Sequence, residues 1–282
     1  MKCDTGFLAR VLVFTFAYGV IGAIFPLQQG ELTTAYILGT LVTGLLYSLL
    51  LSSILTQMNI GAKGRVLSVW TAIYVVQFFN SLIEGYFFTD QFEDATLFVG
   101  GALVGALLAF LYASIAGPLF GSKSSSSSLP DELRSHFSQR KASSWIWRFA
   151  VSALSWPVLY YLFGAMVAPV VTPYYTELGL FLVLPPLEVI MSVQALRGFI
   201  YVSALLPVIA CMRVRMKRLF LSITGLMYIG GGLAIFLIVE TFPVMLRIAH
   251  GFGDLLFASI FFGIVTAYLL GVPRREQENI PY

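Results

Sequence analysis

Charge is what this chain has least of. Only 11% of its 282 residues are Asp, Glu, Lys or Arg, against about 25% in soluble domains. With 58% hydrophobic residues and a mean hydropathy of +0.86, a water-facing shell could not cover the apolar surface, so a soluble fold is excluded. Histidine and cysteine occur twice each. Only His250 lies in an apolar run, which leaves bis-histidine haem unsupported and an all-protein zinc site short of ligands. All five lysines lie outside the apolar runs, so no buried lysine can hold retinal. No G-x-S-x-G elbow occurs. Gly117-Pro-Leu-Phe-Gly121-Ser-Lys-Ser has the wrong spacing for a phosphate loop. Neither a cofactor nor a metal is expected. The net charge of +3 is no nucleic-acid signal.

What is abundant is apolar runs. A spanning helix needs roughly 20 mostly apolar residues. Eight such runs fall near 6–27, 34–57, 66–88, 95–120, 145–171, 186–212, 218–240 and 243–271. The first lacks a small-x-small exit and reads as a retained span rather than a secretory signal. The expectation is an all-α polytopic bundle of eight transmembrane helices in contact with the lipid bilayer.

The basic residues orient it. Fifteen of the 17 Lys and Arg fall at the N-terminus, after the last span, or in or beside the loops after spans two, four and six. The opposite loops carry none and hold Glu31, Asp90, Glu93, Asp94 and Glu177. The positive-inside rule places both termini in the cytoplasm. Cys3 and Cys211 then share the cytoplasmic side, which argues against a structural disulfide.

The longest connection, 121–144, divides the chain into four-span halves, 1–120 and 145–282. It opens on five serines, Ser124 to Ser128, a flexible composition. Pro130-Asp131-Glu132 then marks a helix start. Leu129, Leu133 and Phe137 share a face, consistent with a short amphipathic helix on the membrane surface or with a solvated tether. Arg10 and Arg148 hold similar places in spans one and five, which suggests a duplication. Pro157, Pro207 and the Gly230-Gly231-Gly232 run interrupt the later spans, while Gly101 and Gly105 form a small-xxx-small pair. These fit close packing or kinked helices around a cavity.

An ionisable residue at bilayer depth costs roughly 2.5–3.5 kcal/mol and so needs a partner or a task. Span three carries Gln77, Asn80 and Glu84 on one face. Span eight carries Arg247, His250 and Asp254 at the same spacing. Span six carries Gln194 and Arg197 on the face of Tyr201, with Glu188 about half a turn out of phase. Orientation gathers these groups in the outer half of the membrane. The expected pairs are Glu84 or Glu188 with Arg247, and Asp254 with Arg197.

Gly251-Phe252-Gly253-Asp254 resembles the G-x-G-D motif of intramembrane aspartyl proteases. That resemblance implies a second aspartate on a neighbouring span, and Asp4, Asp90, Asp94 and Asp131 all lie outside the spans. His250-xxx-Asp254 resembles one motif of CPBP-type intramembrane proteases, but the paired-glutamate and second histidine motifs are missing. Three readings follow. The first is binding and transport of a small polar or ionic solute or of protons, with Arg197 and Arg247 meeting an anion and Glu84, His250 and Asp254 exchanging protons. The second is a membrane-embedded enzyme acting on a lipid or lipid-linked substrate, with His250 and Asp254, or Glu84, as acid and base. The third is a non-catalytic membrane subunit or sensor.

Overall fold

The computed structural model describes residues 5–25, 32–89, 95–121, 127–176, 183–212, 214–240 and 242–272. The acidic residues Glu31, Asp90, Glu93, Asp94 and Glu177 lie outside these, as do Ser124, Lys2, Cys3, Asp4, Lys123, Arg213, Arg274 and Arg275. Among the described residues there are nine helices and no strand. Eight are long and apolar enough to cross a bilayer, and the chain is an integral membrane protein.

The helices are α1 (Thr5–Ile24), α2 (Thr34–Leu55), α3 (Ala62–Phe88), α4 (Ala95–Phe120), α5 (Leu129–Phe137), α6 (Ala142–Thr176), α7 (Leu187–Cys211), α8 (Met216–Ile238) and α9 (Val244–Leu270). All but α5 are candidate spans. Their outer faces carry large apolar side chains in the open, such as Leu103 at 68% and Met166 at 65% exposure. Such a belt is untenable in water and natural against lipid.

Three helices contain a π-helical stretch: Tyr74–Phe79 in α3, Leu226–Leu233 in α8 and Ala249–Asp254 in α9. A π-turn inserts an extra residue and rotates all that follows relative to a regular helix. The three-glycine run lies inside the α8 stretch, where Gly232 leaves helical geometry. Pro157 and Pro207, by contrast, lie inside helices that continue through them.

Packing follows a clear pattern. α1 lies on α2, α3 on α4, α6 on both α7 and α9, and α8 on α9. Two seams join these groups: α2 packs on α8, and α3 packs on both α7 and α8, with the π stretches of α3 and α8 in contact. Gly101 and Gly105 bring α4 against Leu82 and Phe78 of α3, which is the close-packing role of a small-xxx-small pair.

In the described part of the connection between α4 and α6, helix α5 packs on the bundle, with Leu129 in the main core and Leu133 against it. Ser128 caps α5 through the Asp131 amide. The buried face is Leu129, Glu132 and His136, whereas Phe137 is exposed. The i, i+3, i+7 stripe docks on the bundle, and Leu133 of the apolar stripe packs against the core beside it. The reason is polar. The Phe137 carbonyl accepts from Trp145 Nε1 at 2.8 Å, and His136 stacks on Trp145 at 4.8 Å. Arg140 donates to the Leu269 and Gly271 carbonyls at 3.3 and 2.7 Å, and Arg148 to Leu269 at 3.1 Å. Two cations thus cap the C-terminus of α9, where carbonyls lack helical partners. Burial, then Arg140, push the His136 pKa down to about 4. The end of the bundle bearing α5 is called the linker end below.

Candidate functional site

The polar stripe of α3 begins inside its π stretch and runs toward the end opposite the linker. Gln77 and Asn80 are buried, while Glu84, one turn before the helix end, is half exposed. The facing stripe on α7 is Gln194, Arg197 and Tyr201, all buried.

These stripes meet in one network. Arg197 Nη2 lies 2.6 Å from Glu84 Oε1; the arginine side chain is 2% exposed and the glutamate 44%. Arg197 Nη1 donates to Gln194 Oε1 at 2.9 Å, and Nε and Nη2 donate to the Tyr201 hydroxyl at 3.2 and 2.9 Å. Tyr201 in turn donates to Asn80 Oδ1. Asn80 Nδ2 reaches the Gly231 carbonyl in the α8 π stretch at 3.4 Å. Trp156 of α6 donates to Gln194 Oε1 at 2.9 Å, and its ring lies 5.6 Å from the Arg197 guanidinium. A buried guanidinium is tolerable when paired and hydrogen-bonded at each nitrogen, and this one is. Gln77 points the other way, donating to the Tyr18 hydroxyl of α1 at 3.0 Å.

Comparison with family models, with curated proteins and with solved structures gives no match. The geometry therefore carries the functional argument alone.

Several expected pairings are corrected. Arg197 pairs with Glu84 rather than Asp254, because the long arginine side chain reaches along α7 to the end of α3. Asp254 spends its short side chain on its own helix. Its Oδ2 lies 2.9 Å from His250 Nδ1, and its Oδ1 accepts from the Leu255 amide at 2.8 Å. Arg247 pairs with neither Glu84 nor Glu188; its Nε donates to the Phe242 carbonyl at 2.7 Å. Glu188 is exposed and stands beside Phe87, Ser192 and Leu196 along an open groove of about 380 Å³. All three nitrogens of Arg197 are engaged within the protein.

His250 lies beside the network, within electrostatic reach of Glu84. Its ring stacks on Phe236 at 5.8 Å, and its Nε2 is buried without a hydrogen-bond partner. Among the described residues no three His, Cys, Asp or Glu are grouped to hold a metal ion.

Trp156 and Tyr18 were not legible as site residues. Each is one of several aromatics in an apolar run, and nothing in its spacing distinguishes it from a lipid-facing ring. The one sequence signal is that Tyr201 shares a face with Arg197.

Proposed function

We propose that this protein binds and transports protons, or a small polar solute together with them, at a site opening on the extracytoplasmic side. The reading takes both termini as cytoplasmic, on the basic-residue distribution, and takes the chain as two halves of four spans. The observation that carries it is the network itself. Glu84 and Asn80 belong to the first half, Arg197, Tyr201 and Gly231 to the second, so the bonds between them fasten one half to the other. Glu84 is also the member open to solvent. Its protonation removes the charge that holds Arg197 and loosens the fastening at that end. His250, within reach of Glu84 and bonded to Asp254, supplies a second proton-exchanging group. π-helical stretches in three of the participating helices support the reading, since such stretches recur at functional sites and adjust without unfolding. Parallel halves rocking about a midline site are a recurring transporter design.

The test is proton flux into liposomes holding the purified chain, followed with an interior pH dye. Glu84→Gln and His250→Ala each cut the flux at least ten-fold while the thermal unfolding profile shows a folded protein. Wild-type flux in both variants rejects the site.

A second reading is favoured by one observation: every nitrogen of Arg197 is satisfied inside the protein. That suits a membrane subunit whose polar groups set helix register. Zero flux in the wild type, with unfolding in the variants, selects it.

A further inference from the structure

The open groove beside Glu188 runs down the outer side of α7. It is lined by a row spaced by four, Glu188, Ser192 and Leu196, by Val189 and Val193 next to that row, and by Phe87 near the end of α3. α7 begins at Leu187, so Glu188 stands at the end of the span and Leu196 lies two turns deeper. At about 1.5 Å of rise per residue, the eight residues between them cover about 12 Å, most of one leaflet of a hydrocarbon core roughly 30 Å thick. Polarity follows depth: a carboxylate first, a hydroxyl one turn in, then hydrocarbon. A lipid molecule has the same order from headgroup to acyl chain. The groove volume, about 380 Å³, falls within the range of about 300–1,000 Å³ that small-molecule sites occupy.

The groove opens toward the bilayer. Leu187 and Met191, in the adjoining row of α7, are exposed, as is Leu196. Its walls are held without an occupant. Behind it Ile83, Phe88, Ile190 and Val193 form a packed cluster between α3 and α7. The Val183 amide donates to the Phe88 carbonyl at 2.8 Å, which ties the approach to α7 to the end of α3.

Its side-chain polar atoms are left to accept. Among the described residues no cation pairs with the Glu188 carboxylate, and the loops at that end of the bundle carry no lysine or arginine. The Ser192 hydroxyl gives its proton to the Glu188 backbone carbonyl at 2.8 Å and keeps its lone pairs. A carboxylate with a hydroxyl oxygen below it suits a cation that brings its own donors. A primary ammonium has three and a quaternary ammonium none.

We propose that this groove binds one phospholipid with a primary-amine headgroup, of the phosphatidylethanolamine class. Its ammonium rests on Glu188 and one acyl chain runs along Val189, Val193, Leu196 and Phe87. Phe87 stands one turn past Glu84, and Leu196 immediately precedes Arg197. The lipid therefore lies against the same two helices that the Arg197–Glu84 pair joins, and its binding braces that seam. The inference draws on neither the transport reading nor the division into halves.

The test is thermal unfolding of the purified full chain in detergent at pH 7, titrated with dioleoyl phosphatidylethanolamine or dioleoyl phosphatidylcholine. The two differ only in the headgroup amine. A saturable rise in Tm is expected, with half-saturation at a concentration lower by about ten-fold or more for the ethanolamine lipid, the worth of one charge-assisted hydrogen bond. Glu188→Gln, at an exposed position, brings the ethanolamine lipid to the half-saturation of the choline lipid. Ser192→Phe, which fills the groove, weakens the binding of both. Equal half-saturation for the two lipids in the wild type means that lipid coats the helix without a site, and overturns the proposal whether or not the variants fold. A headgroup preference that persists in folded Glu188→Gln, or unchanged binding in folded Ser192→Phe, places the lipid elsewhere and also overturns it.

Discussion

The Arg197 guanidinium and the Glu84 carboxylate touch at 2.6 Å, yet one is buried and the other half open. That inequality makes their removal unequal. Glu84→Gln strands an uncompensated cation inside the protein, whereas Arg197→Met leaves a carboxylate that can rehydrate. The first costs on the order of 3 kcal/mol and the second clearly less. Thermal or denaturant unfolding in one detergent measures both, and the reverse order contradicts the described burial.

Close helix approach gives a second contrast. A Cβ at Gly198 would lie 2.0 Å from the Ala153 carbonyl, while one at Gly164 meets nothing within 4 Å. Gly198→Ala forces α6 and α7 apart and costs about 2 kcal/mol or more. Gly164→Ala stabilises by roughly 0.5–1 kcal/mol, through helix propensity. Paired melting curves show the opposite signs.

The docked His136 makes α5 sensitive to acid. Its pKa is about 4 when docked and about 6.5 when released. Above pH 6.5 both states are neutral and docking is at full strength. Between 6.5 and 4 only the released state takes up a proton, so docking weakens as pH falls. Amide hydrogen exchange in α5 is expected to be faster at pH 5 than at pH 7 once corrected for intrinsic rates. His136→Gln is expected to flatten that difference.

The carbonyl clamp at the end of α9 predicts a shared loss. Arg140→Ala removes bonds to Leu269 and Gly271, so exchange rises in α5 and in the last turn of α9 together. A rise in α5 alone would mean that the two elements are not coupled.

Hydropathy and the one-sided placement of basic residues made the eight spans readable, since each depends only on local composition. The stripes of α3 and α7 were readable for the same reason: Asn80, Glu84, Gln194 and Arg197 lie on regular turns. Partner choice was not. It depends on side-chain reach, which took Arg197 to Glu84, and on intrahelical alternatives, which kept Asp254 with His250. The π stretches left no local mark beyond the glycines of α8 and α9, and the α3 stretch has none. On α5 the apolar members Leu129 and Leu133 were readable, but the buried Glu132 and His136 were not, because an apolar periodicity passes over them.

Capping α9 with Arg140 and Arg148 also imposes an order of assembly. Both arginines are synthesised more than a hundred residues before the Leu269 carbonyl that accepts from them. Until Leu269 is made those bonds cannot form, and only local partners such as Trp145 for Arg140 and Trp147 and Ser144 for Arg148 are within the chain already made. The clamp is a latch that only the end of the last span can close, and a chain that stops short of Leu269 stays unlatched.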